Sequence, residues 1–164
     1  MHSRIFQIER NPISEEEWIG ETEACDFVDA IGIADYADSD LDGDSVQFCK
    51  EDLCKIFHAE LEADGSVLVK KDTLTEYLDE KHRYFKDLAQ KASIMPFEEF
   101  TKYCNTLIFE LKAAYDDEYG YYVYSSDGYF ETFDSYVRRL YNKMEKESVN
   151  EVRLYLGNVL DYHF

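Results

Sequence analysis

From Asp72 to Tyr115 apolar residues recur at three- and four-residue intervals, with a break only at Met95-Pro96. That spacing puts Leu74, Tyr77, Leu78, Phe85, Leu88 and Ala92 on one face of a long helix opened by Asp72. Pro96 suits the first turn of a second helix, because its missing N–H would have no intrahelical partner there. Over that second helix Phe97, Phe100, Cys104, Leu107, Ile108, Leu111 and Tyr115 keep helical spacing. The link between the two is short, which predicts an antiparallel helical pair over about 73–92 and 97–115. Leu78, Phe85, Leu88, Phe100, Leu107 and Leu111 are its expected contacts.

The flanking segments read differently. "RIFQIE" alternates and predicts a first strand. Ser14 with Glu17 forms a capping box for a short acidic helix ending at Gly20. Thr22 is placed to cap another, with Ala24, Val28 and Ile31 on one face. Residues 35–45 read as a loop or edge strand. Residues 46–61 read as a helix through Leu53, Ile56, Phe57 and Leu61, or as the start of a hairpin turning at Asp64-Gly65. Tyr119–Tyr124 reads as a strand, followed by a turn at Ser126-Asp127-Gly128. A helix with Phe133, Val137, Leu140, Tyr141 and Met144 inward comes next. "EVRLYLGNVLDYHF" closes the chain as a strand or a hairpin around Gly157-Asn158. No repeat or linker divides the 164 residues. The expected fold is a single α+β domain over 1–164, with several helices, including the central pair, packed on a small antiparallel sheet.

The charge is unevenly spread. The chain carries 36 acidic and 17 basic residues, a net −19, while its 45% hydrophobic content is enough for a core. Residues 1–66 hold 18 acids and 4 bases; residues 67–164 hold 18 and 13. Between Arg10 and Lys50 there are 12 acids and no Lys or Arg. Solvated surfaces ordinarily intersperse both signs. Such a field repels nucleic acid and anionic membrane, and attracts basic protein.

The densest part, "DYADSDLDGDS", resembles a calcium loop only superficially. A loop starting at Asp38 gains Asp40, Asp42 and Gly43 in register, then meets Ser45 at position 8 and Cys49 where a bidentate Glu belongs. Starting at Asp40 brings Glu51 to the closing position but loses the turn glycine. "ELEADGSVLVKK" fails at its first and last positions, Glu60 and Lys71. Weak cation binding by clustered aspartates stands as an alternative; no designed cage is expected.

Cys25, Cys49, Cys54 and Cys104 fit no zinc or redox spacing. Cys49, Cys54 and His58 give C-x4-C-x3-H without a fourth ligand, and read as core thiols beside a surface imidazole. His2, His82 and His163 complete the histidines. No phosphate loop, nucleophile elbow or H-E-x-x-H motif occurs, so neither an enzyme nor a cofactor is expected. "MHSRIFQIER" lacks the apolar core of a secretion signal, and no 18-residue apolar run exists. A cytoplasmic protein with reduced thiols is the expectation.

Two surfaces therefore stand out. One is an acidic face of Glu15, Glu16, Glu17, Glu21, Asp35, Asp38, Asp40, Asp42 and Asp44. The other is a tyrosine cluster centred on Tyr119, Tyr121, Tyr122, Tyr124 and Tyr129, whose rings suit partner contact but also suit strands. Alternate carboxylates along a strand lie roughly 6–7 Å apart, on the scale of phosphates along a nucleic-acid strand. The expected function is an acidic protein-binding module whose partner is a basic protein, as in nucleic-acid-mimicking inhibitors of restriction enzymes, CRISPR nucleases and toxin nucleases. An interaction protein using its tyrosine-rich surface is the alternative.

Overall fold

The computed structural model describes residues 2–24, 26, 32, 36–38, 41–102, 106–127 and 129–163. Its strands are β1 (His2–Glu9), β2 (Tyr36–Asp38), β3 (Ser66–Lys70), β4 (Tyr122–Ser125), β5 (Tyr129–Thr132) and β6 (Glu151–His163). Its helices are α1 (Gly43–Ile56), α2 (Lys71–Ser93), the one-turn α3 (Phe97–Phe100), α4 (Thr106–Tyr115) and α5 (Phe133–Glu147), with a 3₁₀ turn at Glu15–Glu17. The fold is α+β, with a mixed sheet. Among the described residues no helix is long and apolar enough to cross a membrane.

β6 organises the sheet. One side pairs antiparallel with β1 along nearly its whole length. The other side is shared: β3 takes Glu151–Tyr155 and β2 takes Asp161–His163. β4 adds to β1 in parallel, and β5 pairs antiparallel with β4. That parallel pair makes the sheet mixed where an antiparallel one was expected. Local alternation reveals a strand but not its distant neighbour.

Both faces of the sheet are covered. Phe6 and Ile8 point into a core with Leu53 and Phe57 of α1, Leu74 of α2, and Val137, Leu140 and Met144 of α5. Ile5 points the other way, into a smaller core with Ile19, Ala24, Tyr122, Leu160 and Tyr162. Full burial of each such leucine, isoleucine or valine contributes about 1.5–3 kcal/mol. In β6, Leu154 and Leu156 join the larger core, and so does Val159, while Leu160 joins the smaller. The alternation slips by one residue because the β1–β6 register shifts opposite Phe6 and Ile8, which places a bulge at Gly157-Asn158. A break in alternation at Gly-Asn imitates a hairpin. In fact β6 is one strand of 13 residues. A Cβ at Gly157 would lie 2.6 Å from the Gln7 amide oxygen, so any larger residue there would push the Gln7 side chain aside.

Several other expectations need correcting. α2 starts at Lys71, so Asp72 sits inside its first turn and does not cap it. The second helix of the pair is broken: α3 ends at Phe100, and Phe97 and Phe100 are 80% and 68% exposed. Of its two described pieces, α4 runs against α2, with Phe85 and Tyr115 rings 5.9 Å apart and Lys81 donating to the Ala113 carbonyl. Cys104, Cys25, Val28 and Ile31 lie outside the described residues. Thr22 is within a helical turn that begins at Glu21. The strand after Ser126-Asp127 was not foreseen. β5 is only four residues long, and Thr132 at once caps α5 by accepting from the Ser135 N–H. Phe133, Val137, Leu140 and Met144 of α5 are buried as expected.

α1 ends at Ile56, with His58 at positive φ just beyond it. The chain then turns at Gly65, also at positive φ, and Leu61 bridges to Val67. Residues 46–61 are thus helix first and hairpin afterwards.

Candidate functional site

The acidic turn is clipped to the sheet by two amides. Gln7 donates to the Glu17 carbonyl (3.0 Å) and accepts from the Ile19 N–H (2.9 Å). Asn158, in the bulge, donates to the Ile19 carbonyl (2.9 Å). Within the turn, the Glu17 carboxylate accepts from the N–H and hydroxyl of Ser14, and these bonds hold its pKa below the usual range. Glu15 and Glu16 are left facing solvent, as is Glu21 one turn on. Lys50, the first base after the long acidic run, is buried. Its ammonium lies 4.8 Å from the Trp18 ring and donates to the Leu156 carbonyl. Burial lowers its pKa, opposed by the nearby charge of Glu15.

Asp42 and Asp44 begin α1. The Asp42 carboxylate caps the helix by accepting from the Ser45 N–H at 2.7 Å, and this bond lowers its pKa. Asp44 is exposed in the first turn, where the helix dipole favours a negative charge. Asp38 is half-buried in β2, in register with Asp161, which is itself opposite Arg4. Asp35 and Asp40 lie outside the described residues. Residues 43–49 are helical, so they cannot wrap a cation in a calcium loop. The same fact takes Asp42 and Asp44 out of the expected ladder of carboxylates at strand spacing: among the described residues the strand is Tyr36–Asp38, and Asp42 redirects the chain into a helix.

The tyrosines divide. Tyr122 is 4% exposed, packs edge-on to Tyr162, and donates to the Glu118 carbonyl. It is a core residue and not the contact residue expected. Tyr124 is half-buried against Phe130, and Tyr119 stacks on Phe109 at the surface. The Tyr129 side chain is outside the described residues. Tyr121 is half-buried, its ring 5.2 Å from Phe6.

Tyr121 also reaches the acidic region. A cleft of about 520 Å³ runs between the start of β1 and the first half of α1. Asp42, Asp44 and Asp52 line it from α1, His2 and Arg4 from β1, with Phe6, Phe48 and Tyr121 as aromatic surfaces. Arg4 and His2 both pair with Asp161. The structure thus joins one tyrosine of the cluster to two aspartates of the acidic face. Asp52 was not singled out beforehand; its helical offset from Ser45 and Cys49 is the only signal that would have placed it there.

A second polar cluster went unforeseen. Asp134 is buried, and its carboxylate accepts from the Tyr77 hydroxyl (2.6 Å), the Lys81 ammonium (2.8 Å) and the Asp117 N–H (3.0 Å). Burial and the Asp134 charge push the Tyr77 pKa well up, so its phenol stays protonated and donating. These contacts tie α2, α5 and the 116–120 loop together. The suggested Cys49–Cys54–His58 set does not converge. Cys54 is buried in the core with its thiol pKa raised to about 11, and His58 is exposed beside Glu76. Among the described residues no group of three His, Cys, Asp or Glu side chains is arranged to hold a metal. Comparison of the chain with protein-family models, with curated proteins and with solved structures finds no match.

Proposed function

We propose that this chain is an acidic protein-binding module that engages a basic groove, most fittingly on a nucleic-acid-handling protein whose ligand it imitates by charge. One observation carries the reading. A 39-residue stretch without Lys or Arg supplies carboxylates that face solvent at Glu15, Glu16, Asp42 and Asp44. In the C-terminal part, by contrast, several carboxylates are matched with cations, as in Lys81–Asp134, Lys71–Glu145, Arg138–Asp116 and Arg139–Glu131. A one-signed surface of this kind speeds encounter with an oppositely charged partner and rejects nucleic acid itself. The imitation rests on charge density alone, because the helix at Asp42 removes strand-like spacing.

The test compares wild type with Glu15→Gln/Glu16→Gln/Asp42→Asn/Asp44→Asn. Glu17 is left intact for its capping role, and Asn caps a helix about as well as Asp. Wild type should capture a basic protein at about 50 mM salt and lose it at about 300 mM, where the Debye length is shorter. Excess nucleic acid should displace that protein, and the variant should capture little at either salt. Equal capture by both proteins at both salts would show that these carboxylates serve solubility only.

A further inference from the structure

The cleft between β1 and α1 has the chemistry of a cation receptor. Its volume, about 520 Å³, exceeds what one side chain fills and suits a side chain together with the loop that presents it. Asp42 and Asp44 stand on one wall, and Tyr121 adds an aromatic ring of the kind that attracts cations. The opposing cation, Arg4, is already held by Asp161. An anion would meet three carboxylates here, and the Ser45 N–H that could bind it is occupied by Asp42. A neutral apolar ligand would bury those charges without partners. Lys55 gives an internal precedent: its ammonium pairs with Asp52 at 2.6 Å and lies 5.7 Å from the Phe48 ring centroid. A carboxylate and a ring on this rim thus already share one cation, leaving Asp42 and Asp44 to another.

Resting on the acidic-module reading above, we infer that this cleft receives an arginine side chain presented by a loop of the basic partner. Arginine fits better than lysine. A planar guanidinium stacks on an aromatic ring while donating two parallel N–H bonds to a carboxylate, which a hydrated ammonium does not.

The probe is the blocked tripeptide acetyl-Gly-Arg-Gly-amide, titrated into the isotope-labelled full chain and followed by amide chemical shifts. The isosteric citrulline peptide is run in parallel. The arginine peptide should shift Asp44, Ser45, Cys49 and Tyr121, with at least tenfold higher affinity than the citrulline peptide. Asp44→Asn, a change away from the helix cap, should weaken it about three- to tenfold with the spectrum otherwise preserved. Equal response to both peptides, no response, or shifts as large at Glu15 and Glu16 as in the cleft would each overturn the inference. The two proposals fail separately. Peptide binding in the cleft with salt-independent capture of basic proteins removes the acidic-module reading. Salt-dependent capture without arginine-specific shifts removes only the cleft.

Discussion

Asp134 and Asp44 are the same side chain in opposite circumstances. Asp134 is 3% exposed, and three donors, two from α2 and one from the 116–120 loop, converge on it. Asp44 stands in solvent at the start of α1, within a stretch that contains no Lys or Arg. The contrast extends to whole regions. In the C-terminal part, cations sit where a carboxylate joins two elements: Lys81 and Lys71 each bridge α2 to α5. In the N-terminal third, the turn, the bulge and the helix start are held by amides, caps and the buried Lys50. Glu17 and Asp42 serve there as caps, while Glu15, Glu16 and Asp44 face solvent.

Removing each carboxylate in turn gives the sharpest test of the contrast. Asp134→Ala strands the Lys81 ammonium and the Tyr77 hydroxyl. Breaking a buried ion pair from one side costs about 3–5 kcal/mol, and partial exposure of Lys81 puts this case near 3. Asp44→Ala should change stability by no more than about 0.5 kcal/mol. Urea unfolding of both variants reads the difference directly. Similar losses in the two would abolish the division between structural and surface carboxylates.

Next in size is the amide clip. Gln7→Leu leaves the Ile19 N–H and the Glu17 carbonyl without their partner, at about 2 kcal/mol. Amide exchange at Ile19 should quicken by more than that at Val137, if the acidic turn is fastened to the sheet mainly by this side chain.

The pH response sharpens the same division from the core. The Cys54 thiol is raised from 9.0 to about 11, by burial first and by Glu51 second. A raised pKa means the folded state keeps its proton after the unfolded chain has lost it. This stabilisation is complete below about pH 9 and is lost as pH rises towards 11. Tyr162, raised to about 12, continues the decline. The melting temperature should fall above pH 9, with a shallower initial fall in Cys54→Ala. An unchanged initial slope in that variant would show that Cys54 is not the first group to titrate.

The smallest effect separates charge from capping at one residue. Asp42→Ala should cost about 1 kcal/mol through the lost cap, and Asp42→Asn nearly nothing. A loss in Asn equal to that in Ala would mean the charge, and not the hydrogen bond, holds the start of α1.

These contrasts were unequally visible in the sequence. α5 was legible because Phe133, Val137, Leu140 and Met144 keep one period. The break after Phe100 was not, since apolar residues continue at helical spacing across it and only exposure reveals the change. The closing strand was legible, and the hairpin stood as its alternative because a bulge and a turn both interrupt alternation at a glycine. β1–β4 pairing joins distant segments, which no local pattern records. The acidic run announced itself through charge alone. The cleft did not: it needs β1, α1 and Tyr121 brought together by the sheet. Nor did Asp134, one acid among 36, identified only by the donors folded around it.

The exposed carboxylates are free to serve a partner only if the fold does not depend on them. Urea unfolding of Glu15→Gln/Glu16→Gln/Asp42→Asn/Asp44→Asn beside wild type, at low ionic strength where repulsion is least screened, measures that dependence. The expected result is a midpoint equal to wild type or higher, because like charges are removed and the Asp42 cap is kept by Asn. A midpoint lower by more than about 1 kcal/mol of stability, as for a lost cap, would contradict it and return these acids to the fold.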